Sequence, residues 1–487
     1  MKKKDDTRSY GSNTQDRPTE QETSPPEIPG KEKILPPGHS LPDGFVLTDE
    51  FKDAYGLMEN TKKCLFISGR AGTGKSTLVT YFRINSKKNV VYLAPTGVAA
   101  LNVQGTTIHS FFKFPHHFIE IANIKPNYMR QEIFEKLDTI VIDEISMARA
   151  DIVDGIDASL RINRKNPAPF GGVQMIFIGD LYQLPPVVGS KETVKNVESG
   201  DREIKIPLKQ HFETQYGGVY FFNSKAFNSL QFENIELTYI FRQKDRRFID
   251  LLNAFRQQNF KRADLEVLNR QYKPYDDNVS NEVVLTICTT NAIAGIINEK
   301  NMNNLPSKPY IYEAVIDGKY DTELFPTERN LILKAGAQIM MLKNSPSHFW
   351  FNGSLGIVKN LSEENIHVEI KGITYPIKKE TWESVEYEYN QETKKIEAKV
   401  IGTFTQYPLK AAWAVTIHKS QGQTFDRVAI DLGNGAFAHG QTYVALSRCT
   451  SLEGITLRRP VEYKDIILDP KVVGFMKKIQ PPEDILF

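Results

Sequence analysis

Residues 64–82 read CLFISGRAGTGKSTLVTYF, and the succession of residue types in this stretch decides the fold. The apolar run at 64–68 predicts a buried strand, and TLVTYF at 77–82 resumes with the apolar spacing of a helix. Between them lie small and turn-forming residues that can pack almost nothing. Gly69, Gly74, Lys75 and Ser76 there fit the pattern G-x-x-x-x-G-K-[ST]. After a strand and before a helix, such glycines let backbone N–H groups converge on a phosphate at the helix N-terminus. Gly69, Gly72, Thr73, Gly74, Lys75, Ser76 and Thr77 are therefore candidate nucleotide ligands, with Lys75 on the β- and γ-phosphates and Ser76 on Mg²⁺.

The texture repeats along the chain. NVVYLAP (89–95), DTIVIDE (138–144) and VQMIFIGD (173–180) each look like a buried strand that ends in polar or turn residues. Strands of this kind separated by helix-length segments predict an α/β fold with a parallel sheet, and ligands of such sheets sit at the strands' carboxyl ends. EVVLTICTTN (282–291) and DRVAIDLG (426–433) predict a second such sheet. Asp143 ends a strand where a carboxylate reaches a metal through its water shell, and Glu144 beside it can orient and deprotonate a water. A lone Asp-Glu pair would read as a solvated strand end; following a phosphate loop it reads as catalytic. Gln183, in GDLYQLPPV (179–187), stands where it can sense the γ-phosphate or its water.

From about 331 to 404 the pattern changes to short alternating runs with NG and KG turns, which predicts a small antiparallel barrel inserted in the second α/β unit. Residues 1–44 are poor in apolar groups and rich in Pro, Glu, Ser, Thr and Lys, the composition of a disordered tail. The charged stretch between Ser190 and Gly218 reads as a surface insertion.

Composition sets outer limits. With 487 residues the chain has room for several domains, and its net charge of +2 neither announces nor excludes a nucleic-acid partner. The three cysteines are far apart and form no CxxC, which argues against a disulfide framework or a zinc site and suits a reducing compartment. That compartment is the cytoplasm in a bacterium, or the nucleus or mitochondrion in a eukaryote. No run approaches the roughly 18 apolar residues of a membrane span, and MKKKDD has no apolar stretch behind it, so neither a membrane nor a signal peptide is expected.

Six segments then occur in order: APTGVAALNVQGTTIHSFF (94–112), DEISM (143–147), GDLYQLPPV, LTYIFRQKD (237–245), TIHKSQGQTFD (416–426) and YVALSR (443–448). Together, from Phe45 to the C-terminus, they resemble the Pif family of superfamily-1B DNA helicases, of bacterial type and close to the RecD group. The resemblance implies two RecA-like domains, at 45–235 and at 236–330 with 405–487. It also implies an SH3-like barrel at 331–404 and a duplex-parting wedge at about 113–133. It implies ATP- and Mg²⁺-dependent 5′→3′ movement on single-stranded DNA and unwinding of duplex or fork DNA. The setting would be repair, recombination, or replication and telomere-type maintenance, with the chain a monomer that can pair on DNA.

Several residue roles follow. Pro95, Thr96, Gly97, Thr107, His109 and Ser110 lie past a strand end, where N–H and hydroxyl groups can contact a DNA backbone. One of Phe111, Phe112 and Phe114 would stack a base, the others being core. Thr416, His418 and Lys419 form a second polar patch, and Gln421 and Gly422 would face the nucleotide. The resemblance makes Arg242 and Arg448 the arginines that complete the ATP site, beside Lys75, Asp143, Glu144 and Gln183. It also implies a Gln upstream that reads adenine; LTDEFKDAYGLMEN (47–60) has none, and Phe51 stands near that place, which opens the site to other nucleotides. A translocase subunit without unwinding of its own, a nucleotide-switched DNA clamp, and RNA as the track stay open at this level.

Overall fold

The computed structural model describes residues 41, 45–189, 191–198, 202–243, 245–274, 283–347 and 349–479. Apart from Leu41, the expected tail at 1–44 lies outside the described residues.

The first sheet has six parallel strands in the order Thr106–Thr107, Val90–Ala94, Thr139–Ile142, Gln174–Gly179, Cys64–Gly69 and Phe232–Leu237. Every residue of the four central strands is buried, which is why they read as continuous apolar runs rather than alternating ones. The strand Cys64–Gly69 lies between Gln174–Gly179 and Phe232–Leu237, so the phosphate loop and Asp180 emerge from neighbouring strands. The second sheet has four parallel strands, Ala414–Thr416, Leu285–Cys288, Val428–Asp431 and Ile455–Leu457. The fold is thus α/β with two parallel sheets, as the sequence predicts.

The antiparallel region holds a small β-domain as expected, over fewer strands than the sequence suggests. Five strands form one sheet, in the order Ile373–Ile377, Ile366–Ile370, Leu355–Leu361, Gln338–Met341 and Leu409–Ala411. The last two alternating runs leave it: Glu380–Asn390 and Lys395–Gln406 form a long hairpin whose second strand also pairs with Val315–Gly318. The reason is what their apolar alternation buries. Tyr387 and Ile396 join the same core cluster as the first sheet, and the Tyr387 hydroxyl accepts the Tyr92 N–H at 3.1 Å. Glu386 adds ion pairs to Lys113 and Arg130, 2.8 Å each.

Within 113–133 the chain makes two short 3₁₀ turns, Ile121–Asn123 and Tyr128–Arg130. Bonds from Ile119 N–H to Asp151 at 2.9 Å and from Arg130 to the Phe111 carbonyl at 2.8 Å fix its base, while Met129 is 97% exposed. The stretch after Ser190 contains an antiparallel pair, Thr193–Glu198 with Arg202–Pro207, and the helix Leu208–Tyr216. Val194, Leu208 and Phe212 bury against Ala150, so this insertion has a small core of its own.

Candidate nucleotide site and strand-contact loops

Lys75 opens the helix Lys75–Asn85, and Gly74 caps it at φ 81 and ψ 19. A Cβ there would stand 3.0 Å from Phe51 and 3.3 Å from Phe241, so both the backbone angle and the space require glycine. The Lys75 ammonium donates to the carbonyls of Gly69 at 2.7 Å and Arg70 at 3.0 Å. Burial lowers its pKa, against the opposing pull of Asp180, Glu144 and Asp143.

Asp143 and Glu144 leave the strand Thr139–Ile142 by a turn in which Glu144 takes φ 50, a left-handed backbone few non-glycine residues adopt. The Glu144 N–H donates to Asp143 Oδ1 at 2.9 Å. Burial, then the neighbouring Glu144 carboxylate, push Asp143 up to about 7, although Ser76 hydrogen-bonds to it. Burial likewise raises Glu144, whose Oε2 is buried without a protein partner. A buried acceptor left open in this way fits a bound water or the water shell of a cation. Among the described residues no three His, Cys, Asp or Glu side chains group to hold a metal ion. Ser76 and Asp143, hydrogen-bonded to each other, are oxygen donors that could hold a cation.

Residues from the second half of the chain close over this loop. The Tyr443 hydroxyl, on the helix Gln441–Leu446, accepts the Ala71 N–H at 3.1 Å. The Phe241 N–H donates to the Gly72 carbonyl at 2.9 Å. Arg242 donates to the Ser447 carbonyl at 3.2 Å and Arg448 to the Ser447 hydroxyl at 2.9 Å, so the two arginines converge. Arg448 is almost wholly buried and also bonds the Val444 carbonyl at 3.0 Å. Burial and the nearby Arg242 charge push it down to about 9. Two guanidiniums this close suit an anion. Gln421 is buried with its Nε2 unpartnered, and a Cβ on its neighbour Gly422 would meet Asn102 of the first half at 3.2 Å. Gln183 is buried too, its amide donating to Asp180 at 3.3 Å.

The strand-contact residues divide. Thr96 and Thr107 spend their hydroxyls as caps, accepting the N–H groups of Ala99 at 3.3 Å and Ser110 at 3.1 Å. They remain half-buried at the carboxyl end of the first sheet with Pro95, Gly97, His109 and Ser110. A Cβ on Gly97 would lie 2.7 Å from Leu324, so the turn Thr322–Leu324 covers it. The His109 ring stacks on His116 at 5.1 Å, and burial followed by His116 lowers its pKa to about 4. Phe111, Phe112 and Phe114 are all core residues, stacked or edge-on against one another and Phe134; the expected base-stacking ring is not among them. Thr416 is also buried, capping the Lys419 N–H at 3.4 Å, whereas His418 is half-buried and Lys419 exposed.

Sequence reading missed Asp180, Arg256 and Tyr443. Asp180 and Tyr443 lie inside segments singled out for their neighbours; Arg256 carried no signal, since its partner is 76 positions away.

Comparison with known proteins agrees with this geometry. The family model described as PIF1-like helicase matches residues 46–204, and one described as Helicase matches 385–462. The human ATP-dependent DNA helicase PIF1 is 32% identical over 431 residues, 84% of this chain; the chain spans about 60% of that protein's length. The crystal structure of Bacteroides sp Pif1 in complex with ADP-AlF4 superposes with a TM-score of 0.80 at 34% identity, covering 89% of this chain and 97% of the other. Bacteroides Pif1 bound to ssDNA gives a TM-score of 0.63 at 35% identity, with the same coverage of 89% and 97%. No described helix is long and apolar enough to cross a membrane. On this identity, carried across both sheets and the loops between them, the chain belongs to the PIF1-like helicase family.

Proposed function

We propose that this chain is an ATP-dependent DNA helicase that moves 5′→3′ on single-stranded DNA and unwinds duplex DNA. One observation carries the reading: the phosphate loop is completed by the far half of the chain, through the Tyr443 bond to Ala71 and the approach of Arg242 and Arg448. A loop completed in this way converts nucleotide hydrolysis into relative movement of two halves, each with its own strand-contact loop.

The roles follow from the positions. Lys75 exchanges its two carbonyl partners for β- and γ-phosphate oxygens, and the backbone of Gly72–Ser76 surrounds them. Ser76 and Asp143 would hold Mg²⁺, which supplies Lewis-acid polarisation of the phosphate when bound. Glu144 uses its unpartnered oxygen to orient a water and take its proton as the water attacks the γ-phosphorus and the bond to the β-phosphate oxygen breaks. Gln183 holds that water, and Arg242 and Arg448 spread their charge over the equatorial oxygens. Pro95–Gly97, Thr107–Ser110 and Thr416–Lys419 grip the strand, chiefly by backbone N–H groups in the case of the capping threonines.

Bacteroides Pif1 has been solved bound to ssDNA, and a further similar structure, 35% identical, concerns DNA unwinding at forked dsDNA by two coordinating Pif1 helicases. We infer that single-stranded DNA is the track and a fork the substrate, and that the chain is a monomer that can pair on DNA, acting in genome maintenance in the cytoplasm of a bacterial cell, or in the nucleus or mitochondrion of a eukaryotic one.

The test is ATP turnover with and without single-stranded DNA, followed by unwinding of 5′- and 3′-tailed duplexes. Stimulated turnover with unwinding of the 5′-tailed duplex is expected. Unwinding confined to a 3′ tail would reverse the direction, and DNA binding without turnover would make the chain a clamp.

A further inference from the structure

Beneath the phosphate loop lies a buried cation with no part in the chemistry above. Arg256, on the helix Arg246–Gln257, is 3% exposed, and Asp180, just past the strand Gln174–Gly179, is fully buried. The guanidinium donates to Asp180 Oδ1 from Nη2 at 3.1 Å and from Nε at 3.4 Å, and lies 4.2 Å over the Tyr182 ring. The other carboxylate oxygen accepts from Gln183 Nε2 and from the Tyr443 hydroxyl, each at 3.3 Å. One carboxylate therefore gathers a cation, the glutamine beside the reacting phosphate and the tyrosine bonded to the loop.

Asp180 also acts on Lys75. The Lys75 ammonium lies within electrostatic reach of Asp180, as it does of Glu144 and Asp143. A buried carboxylate is tolerated only with a cation, and two compete for this one. While Arg256 holds Asp180, Lys75 rests on the carbonyls of Gly69 and Arg70, uncharged acceptors that a phosphate can displace. Without Arg256, the strongest cation left for Asp180 is the lysine meant for the nucleotide.

We propose that Arg256 is a positioning residue of the nucleotide site: it keeps Asp180 engaged, so that Lys75 stays free for phosphate and Gln183 and Tyr443 stay directed at the loop. The inference rests on the nucleotide-hydrolysing reading and deepens it. Arg256 and Tyr443 both follow the last strand of the first sheet, Phe232–Leu237, in the chain, whereas Asp180 and Ala71 belong to that sheet's loops. The far half thus sets the charge state around Lys75 as well as covering it.

The experiment measures affinity for a fluorescent ATP analogue, without DNA, in the full chain and in Arg256→Met, Asp180→Asn and the double variant, with a melting curve for each. Arg256→Met should weaken binding by about thirtyfold or more, the low end of what truncating one partner of a buried charge pair costs. Asp180→Asn removes the competing charge but also weakens the anchor of Gln183 and Tyr443, so it should weaken binding clearly less than Arg256→Met does. The double variant should return to within about threefold of the wild type, a non-additivity that marks the two residues as coupled. A purely structural pair would weaken the nucleotide in both single variants in step with their melting temperatures, with no recovery in the double variant. Wild-type affinity in folded Arg256→Met overturns the proposal, and so does a double variant as weak as that single change. Should Arg256→Met fail to fold, Arg256→Gln, which keeps a hydrogen-bond donor toward Asp180 but no charge, takes its place with the same two outcomes. Turnover of the wild type with single-stranded DNA is run beside these. A lack of stimulation there sinks the helicase reading and leaves the affinity pattern to decide Arg256.

Discussion

The Tyr443 hydroxyl accepts the Ala71 N–H at 3.1 Å and donates to Asp180 at 3.3 Å, so one side chain touches two neighbouring loops of the first sheet, the glycine-rich loop and the one after Gln174–Gly179. Tyr443→Phe keeps the ring and removes both bonds. Leaving a buried N–H unpaired costs about 1–3 kcal/mol. The expected outcome is a lower melting temperature and a clear drop in DNA-stimulated hydrolysis with little change in single-stranded DNA affinity. Unchanged stimulation would remove Tyr443 from the coupling between halves.

Lys75 and Glu144 separate binding from chemistry. Lys75→Ala should abolish nucleotide binding and turnover while leaving single-stranded DNA affinity within a few-fold, since the strand loops lie elsewhere. Glu144→Gln keeps the shape of the site and removes the base, so it should bind ATP and stall. Nucleotide and DNA titrations beside turnover distinguish the two, and a Glu144→Gln protein with near-normal turnover would take that residue out of the chemistry.

On the proposed function, the base of the nucleotide would meet rings rather than a side-chain amide. Phe51 is buried against Phe45 and Phe241, while Phe241 and Tyr239 are partly exposed and in ring contact at 4.6 Å. Nearby polar groups are engaged: Thr48 caps the Phe51 N–H at 3.3 Å, and Glu50 binds the Thr238 N–H at 2.9 Å. Aromatic faces accept any base. GTP should therefore support hydrolysis with a kcat/KM within about tenfold of ATP, since stacking of this kind tolerates every base. A strong preference for ATP in steady-state assays would show that backbone groups read the base.

His109 gives a pH dependence with a definite sign. Burial, followed by His116 and Arg149 and opposed by Asp151, lowers its pKa from 6.5 to about 4. The unfolded chain binds the extra proton first, so the contribution of the neutral ring is fully present above pH 6.5 and is lost as pH falls toward 4. His109→Gln cannot titrate and should lose less thermal stability between pH 7 and pH 5 than the wild type. Parallel melting curves for the two proteins would contradict this.

The sequence alone determined both parallel sheets and the phosphate loop, because continuous apolar strands and a glycine run are local patterns that burial and a single turn enforce. Asp143 and Glu144 were legible for the same reason: they end a strand. What it misjudged were residues whose partners are remote. Phe111, Phe112 and Phe114 read as part stacking surface, and contacts with one another and, for the first two, with Phe134 take them into the core. The alternating runs at 384–401 read as barrel strands, and Tyr92, nearly 300 positions earlier, draws them into a hairpin against the first sheet. Thr96, Thr107 and Thr416 read as free hydroxyls, and the fold turns all three into caps. Arg256 showed nothing at all until Asp180 stood 3.1 Å from it. Periodicity records which face of an element is buried; it holds no record of what lies on the other side of that face, and the competition of Arg256 and Lys75 for one carboxylate exists only once distant segments meet.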